Sequence, residues 1–592
     1  MRWFISDFRS LSDLIAREVA LTHILFSPNY RWLLLPILLL FNVIATSAFA
    51  ENIGGNPTPL ERRELPVPGE TAPVLPKLPS LPPVSTQNKS SLSTASKITV
   101  KKFVFQGNKV LSTEELTNLV SSYQNREITA EELQEVKNIV SRHYVDKGYI
   151  NSGAIIPDQP VKDGVVLLEI IEGELVKVDI EGNKRLRTAY IQKRLQLKEK
   201  EALNINELQE RLQLLHQNPL FKRINAELGP GVKLGEAMLK VQVTEERPYE
   251  FGFRINNHRS PSVGAYRGEL EAQHRNLLGF TDRLYLRYGL TNGLKDYTVD
   301  YSLPVTRYDT MLAFHVERSD SEVVTEPFKQ LDVRSDAETY AVTLTHPIYR
   351  KHDRQLDLGL RLERRSSKTF LLGRPFSFGE GVRDGESSIS VARLTQDWLY
   401  RSRSEVIAAR SSFNFGLNAL DSTINDDGSP DSKFFSWLGQ FQWVKRLKLL
   451  DSQILFRTDL QWTNEGLLPL EKFSIGGAST VRGYRENQLT RDNGWVSSLE
   501  WRIPIISREV REVREDGILY FTPFIDYGRA WNSESDTPEP RDISSIGLGL
   551  RWLPTQKIQA ALYWGKPLRE LPKAEDKNLQ DDGVHFELSM QF

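Results

Sequence analysis

The 592-residue chain carries 76 Lys and Arg against 77 Asp and Glu, a net charge of -1, which removes the simplest electrostatic argument for a nucleic-acid partner. It contains no cysteine, which excludes disulfides, thiolate metal sites and cysteine nucleophiles. A hydrophobic content of 40% and a mean hydropathy of -0.39 fit a soluble chain or a membrane β-barrel, where only alternate residues face lipid.

Arg31 precedes an apolar run, Trp32 to Phe41, and the run ends at Ala48-Phe49-Ala50. A basic flank, a short apolar core and a small-residue end read as a secretory signal peptide over residues 1–50. No later run is long enough for a spanning helix, so the mature chain is soluble or crosses a membrane as strands. Residues 51–95 hold Pro66, Pro68, Pro73, Pro76 and Pro79, then a Ser/Thr-rich stretch. Such a segment buries too little apolar surface to offset its ordering entropy, and it reads as a semi-extended linker.

Next comes an internal repeat. Phe105-Gln106-Gly107-Asn108-Lys109-Val110-Leu111 recurs as Ile180-Glu181-Gly182-Asn183-Lys184-Arg185-Leu186, an offset of 75 residues. The same offset carries Thr129 to Asn204, Glu132 to Glu207 and Leu133 to Leu208. One register held at several separated points marks a duplicated unit. Each copy predicts a strand (Ile98 to Phe105; Leu175 to Ile180), a Gly-Asn turn, two helices and two closing strands. Thr129 with Glu132, and Asn204 with Glu207, have capping-box spacing. The units span 96–173 and 174–246.

From residue 247 to 592 the pattern changes to period two. Leu284, Leu286, Tyr288 and Leu290 share one face against Arg283, Tyr285, Arg287 and Gly289. Leu356 to Leu362, Ile454 to Leu460 and Ile546 to Trp552 alternate in the same way. Apolar-out, polar-in runs of roughly 8–10 residues predict a transmembrane antiparallel β-barrel. The chain ends inside such a run, with Val584, Phe586, Leu588, Met590 and Phe592 on the apolar face.

Two segments inside the strand region stand out: Gly476-Gly477-Ala478-Ser479-Thr480-Val481-Arg482-Gly483-Tyr484-Arg485, and Phe524-Ile525-Asp526-Tyr527-Gly528. With the paired repeats, Asn276-Leu277-Leu278-Gly279 and Phe592, they resemble the transporters of two-partner secretion, the ShlB/FhaC/HecB type. That family belongs to the superfamily of the BamA assembly proteins. The resemblance covers residues 96–592. It implies a barrel of sixteen strands preceded by two small α+β POTRA domains, in the outer membrane of a Gram-negative-type bacterium with the POTRA domains in the periplasm. It implies export of an unfolded TpsA-type exoprotein, often a haemolysin or adhesin, without nucleotide or cofactor. It also implies that the sixth outer loop carries Val481, Arg482, Gly483 and Tyr484 into the barrel, and that Phe592 is an assembly signal read by the barrel-assembly machinery. The chain departs from one family feature: Pro57, Pro59, Pro66 and Pro68 disfavour a pore-plugging helix over residues 51–70.

Alternation puts Phe524, Asp526 and Gly528 on one face, with Ile525 and Tyr527 on the other. With Tyr527 toward lipid, Asp526 faces the lumen as a partner for Arg482, and Arg485 competes for the same role. No Gly-x-Ser-x-Gly, Walker or His-Glu-x-x-His motif is present, so the sequence offers no enzyme site. A BamA-like assembly factor is the alternative, but assembly factors carry more POTRA units than the two found here. A solute porin is a third reading, opposed by the repeats and the inserted loop.

Overall fold

A computed structural model describes residues 97–195, 201–326, 328–506, 517–572 and 576–592. The expected signal peptide, the linker and the disfavoured plug helix all lie outside the described residues. Among those described, no helix is long and apolar enough to cross a membrane.

The first repeat contains β1 (Ile98–Val100), β2 (Lys102–Gln106), α1 (Thr113–Leu119), β3 (Arg126–Ile128), α2 (Ala130–Asp146), β4 (Gly153–Ile155) and β5 (Val165–Ile171). The single strand expected from Ile98 to Phe105 is broken at Lys101. The N–H groups of Lys101 and Lys102 both turn to the Gly164 carbonyl, at 2.7 and 3.2 Å. The freed piece, β1, pairs with β3 instead. The second repeat contains β6 (Glu174–Glu181), α3 (Thr188–Leu195), α4 (Ile205–His216), β7 (Phe221–Pro230) and β8 (Glu236–Glu245). The sheet orders β2-β5-β4 and β6-β8-β7 correspond, each with a parallel first pair.

The duplication extends to hydrogen bonds. Gly107 and Gly182 sit at φ +98° and +85°. The Asn108 and Asn183 amides donate to the carbonyls of Leu111 and Leu186, at 2.9 and 2.8 Å. The Glu172 and Glu245 carboxylates collect the N–H groups that follow each turn. The helical caps diverge. Thr129 and Glu132 form a reciprocal capping box at α2, and the Thr129 N–H with Arg126 beside it holds the Glu132 carboxyl below its ordinary range. Asn204 instead accepts from the Asn206 N–H, and Glu207 pairs with Arg211. The second copy is therefore a simple cap, not the capping box expected. Each repeat has its own core, around Phe103, Leu116, Val140 and Leu168 in the first and Ile191, Leu208, Leu212 and Leu239 in the second. Each such buried side chain contributes about 1.5–3 kcal/mol.

Sixteen antiparallel strands close the barrel. They are β9 (Tyr249–Asn256), β10 (Arg267–His274), β11 (Arg283–Leu290), β12 (Leu294–Pro304), β13 (Met311–Glu322), β14 (Arg334–Arg350), β15 (Arg354–Leu371) and β16 (Glu386–Arg401). The second half is β17 (Glu405–Leu417), β18 (Phe435–Arg446), β19 (Gln453–Thr463), β20 (Asn493–Ile506), β21 (Ile518–Phe521 with Phe524–Trp531), β22 (Asp542–Thr555), β23 (Ile558–Pro567) and β24 (Val584–Gln591). Pro523, which has no N–H to give, falls at the break inside β21. The seam between β9 and β24 is short, running from Gln591 opposite Gly252 to Glu587 opposite Asn256. The Phe592 N–H extends it to the Phe251 carbonyl at 2.8 Å.

The alternation has a direct counterpart in exposure. Leu286, Tyr288 and Leu290, Leu358, Leu360 and Leu362, and Ile546, Leu548, Leu550 and Trp552 all face outward. Asp296, Glu363, Glu500 and Asp526 are buried inside. An apolar belt around a closed ladder leaves no unpaired edge for lipid to meet.

The second repeat docks on the barrel turns that face it. Asn276-Leu277-Leu278-Gly279 forms the β10–β11 turn. The Arg187 N–H donates to the Gly279 carbonyl at 3.0 Å, its Nε donates to the Leu278 carbonyl at 3.1 Å, and its guanidinium lies 4.1 Å from the Phe280 ring centre. Arg194 Nε and Arg350 Nη1 share Asp309, each at 2.9 Å. Arg187→Ala removes one hydrogen bond and the ring contact, together about 2 kcal/mol. Limited proteolysis between the repeat and β9 is expected to accelerate by about an order of magnitude. An unchanged cutting rate would show that the turn does not hold the repeat.

Candidate functional site

The loop between β19 and β20, residues 464–492, folds into the barrel. Short strands Phe473–Ile475 and Leu489–Arg491 pair within it. Its end is a compact turn. Gly476 and Gly477 adopt φ +106° and +101°. The Thr480 hydroxyl bonds both the N–H and the carbonyl of Gly476, at 2.9 Å each, and the Gly477 N–H donates to the Val481 carbonyl at 3.1 Å. This small-residue knot presents Arg482 with little freedom.

Arg482 meets Asp526. Its Nε donates to Oδ2 at 2.8 Å, its Nη2 to Oδ1 at 2.9 Å, and its backbone N–H to Oδ2 at 3.0 Å. Nη1 reaches Glu500 and Nη2 reaches Ser498, both on β20. The guanidinium lies 3.6 Å from the centre of the Phe524 ring and 4.8 Å from that of Tyr563. Asp526 is fully buried, and the Arg482 and Glu500 side chains are nearly so. Arg502 neutralises Glu500 from the other side at 2.8 Å, so two cations face two anions. Planar, two-pronged contact is what a guanidinium gives and an ammonium does not.

The other expected residues fall around this pair. Val481 packs with Phe473, Ile475 and Leu489 against Val496, Ala530 and Ile543 of the wall. A Cβ on Gly528 would meet Val481 at 2.9 Å. The Gly483 N–H donates to His585 Nε2 on β24 at 3.2 Å. The Tyr484 hydroxyl lies 3.0 Å from the carbonyl oxygens of Ser544 and Arg569. The competing Arg485 takes a different carboxylate, Asp581 in the loop before β24, through two bonds of 2.6 Å. Phe592 lies away from the loop, at the end of the seam nearest the second repeat, with its side chain exposed.

Several contributors were not named from sequence. Glu500 and His585 lie on polar faces of alternating strands, and alternation alone could have placed both in the lumen. Glu471, at the neck of the loop, had no such signal. It binds Arg393 at 2.7 and 3.1 Å on β16 and Arg365 at 3.2 Å on β15. Leu467, Leu468 and Leu470 sit beside it on Ile389 and Val391 of β16. From β16 to β24 is half the ring, so the loop crosses the lumen.

Comparison with known proteins places this architecture. A family model described as haemolysin secretion/activation protein ShlB/FhaC/HecB matches residues 235–552. A ShlB-type POTRA domain matches 98–173, and a surface antigen variable number repeat, also a POTRA, matches 174–246. The outer membrane transporter CdiB of Dickeya dadantii is 22% identical over 77% of this chain and 81% of its own. The hemolysin transporter protein ShlB of Serratia marcescens is 24% identical over 66% and 69%. The fold of CdiB from Escherichia coli superposes with a TM-score of 0.65 at 21% identity, covering 87% of this chain and 94% of that one. The chain belongs to the ShlB/FhaC/HecB family of secretion/activation proteins: it is an outer-membrane transporter with a sixteen-strand barrel and periplasmic POTRA domains.

Proposed function

We propose that the inward-folded loop is the closed-state element of a pore for one unfolded exoprotein, and that Arg482–Asp526 anchors that loop to the barrel wall. The observation that carries the reading is a guanidinium delivered by a loop to a fully buried carboxylate on the wall. A passive solute pore gains nothing from such a costly arrangement. The client is a large TpsA-type chain of haemolysin or adhesin kind. It is captured in the periplasm by the units over 96–173 and 174–246, whose three-stranded sheets end on edge strands suited to strand addition. The belt of exposed apolar side chains meets outer-membrane lipid, and Phe592 addresses the chain to the assembly machinery. The protein performs no catalysis and uses no cofactor.

Deleting the gene is expected to leave the exoprotein in the periplasm, and returning it to restore the exoprotein to the medium. Fractionation followed by immunoblotting reads this. Solute flux that depends on the chain, with exoprotein export unchanged by its deletion, would sink the proposal.

A further inference from the structure

The loop is tied to the barrel at two places, and the charges left behind when each tie breaks are unequal. At the tip, among the described residues, every hydrogen bond to the Asp526 carboxylate comes from Arg482. Lifting the tip would strand a fully buried anion, which is strongly unfavourable. At the neck, Glu471 departs from arginines that keep another partner. Arg393 also holds Glu363 at 3.1 Å, Arg365 lies 3.9 Å from Glu363, and Arg361 closes on the same carboxylate. With the loop gone these guanidiniums still share the Glu363 carboxylate, whereas Asp526 would keep no cation among the described residues.

Packing points the same way. The tip is held through its backbone as well as its side chains. A Cβ on Gly483 would lie 2.7 Å from the Gly565 carbonyl oxygen, so the two chains touch directly. The neck is held by the Glu471 carboxylate, three leucines, a bond from Arg365 to the Leu470 carbonyl at 2.6 Å, one from the Phe435 N–H to Glu465 at 2.6 Å and one neutral bond from Gln461 to the Glu471 carbonyl at 2.8 Å. A cavity of about 60 Å³ opens beside Leu470 and Arg365. The neck already has space beside it.

From this asymmetry we infer that the loop is hinged at Arg482 and latched at Glu471: the lumen opens by release of the neck from β15 and β16 while the tip stays seated. Glu471 is then a positioning residue for export, set five to six strands of the ring away from the hinge carboxylate on β21. The inference rests on the loop being the closed-state element, but its test needs no exoprotein. A wrong secretion reading and a wrong hinge are therefore told apart.

The absence of cysteine makes the test clean. A Cβ on Gly379 would lie 2.7 Å from Pro469 Cγ, and one on Gly528 would lie 2.9 Å from Val481 Cγ2. The pair Gly379→Cys with Pro469→Cys ties the neck, and Gly528→Cys with Val481→Cys ties the tip. Ion current through the full-length chain in a planar bilayer of potassium chloride solution reads loop opening. The oxidised neck pair is expected to cut large openings at least tenfold relative to its own reduced form, while oxidation of the tip pair leaves openings within twofold of that variant reduced. As a second measurement, Glu471→Gln is expected to raise open time at least fivefold. Openings that persist with the neck tied, openings lost with the tip tied, or an unchanged open time in Glu471→Gln would each overturn the inference.

Discussion

Arg482→Ala is expected to stop export while the barrel still reaches the outer membrane. The substitution removes two of the three hydrogen bonds to the Asp526 carboxylate and one partner of Glu500. The backbone N–H of residue 482 survives in the variant, but the loop has lost the side chain that aimed it. Breaking one half of a buried pair costs about 3–5 kcal/mol. That exceeds the balance needed to keep one loop seated, yet it is small against a ladder of sixteen strands. The barrel should therefore remain folded by its resistance to unheated detergent while exoprotein vanishes from the medium. Arg482→Lys keeps the charge but not the two-pronged contact, and is expected to recover only part of the export. Asp526→Asn combined with Arg482→Ala should be better folded than Arg482→Ala alone, because no buried anion is left unpaired. Normal export by Arg482→Ala would rule out the pair as the anchor of the loop.

What the sequence disclosed follows from periodicity. An offset of 75 residues survives substitution because it is set by the size of a folded unit. Alternation survives because lipid demands it on one side of every strand. These two regularities were enough for the repeats, the barrel and the inward direction of Asp526. They fail where one residue has two ways to satisfy the same need. Asn204 and Glu207 keep capping-box spacing, but the Asn204 side chain reaches the N–H two residues on and Glu207 turns to Arg211. Ile98 to Phe105 reads as one strand, but Gly164 offers an acceptor that bends it at Lys101. The neck of the loop was least legible. Glu471 finds Arg365 and Arg393 across 106 and 78 residues of chain, and nothing local to Pro469-Leu470-Glu471 announces a partner. Ile389 and Val391, apolar on an inward face of β16 where polar residues were expected, were the one available hint of a seat for the loop.

The second large effect is expected from Gly483→Ala, a change of one methyl group. Gly483 sits at φ +94°, where a side chain costs about 1–2 kcal/mol before any contact is counted. The added Cβ would also lie 2.7 Å from the carbonyl oxygen of Gly565 and 2.9 Å from its carbonyl carbon. Both are backbone atoms of β23, bonded into the ladder on each side, and cannot rotate away as a side chain would. The tip must lift, and the Gly483 N–H then leaves His585 Nε2 on β24. Arg482, one residue earlier, is carried away from Asp526 by the same movement. Gly483→Ala should therefore reproduce the export defect of Arg482→Ala with every charge still present, and the two changes together should be no worse than either, since both act on one contact. Gly565→Ala is expected to behave alike from the other side, its Cβ lying 2.8 Å from the Gly483 nitrogen. Gly268→Ala, in β10 with open space around it, serves as the control and should export normally. If Gly483→Ala exports like the parent chain, the tip does not rest on β23 during closure, and the pairing of Arg482 with Asp526 must be held by the loop turn alone.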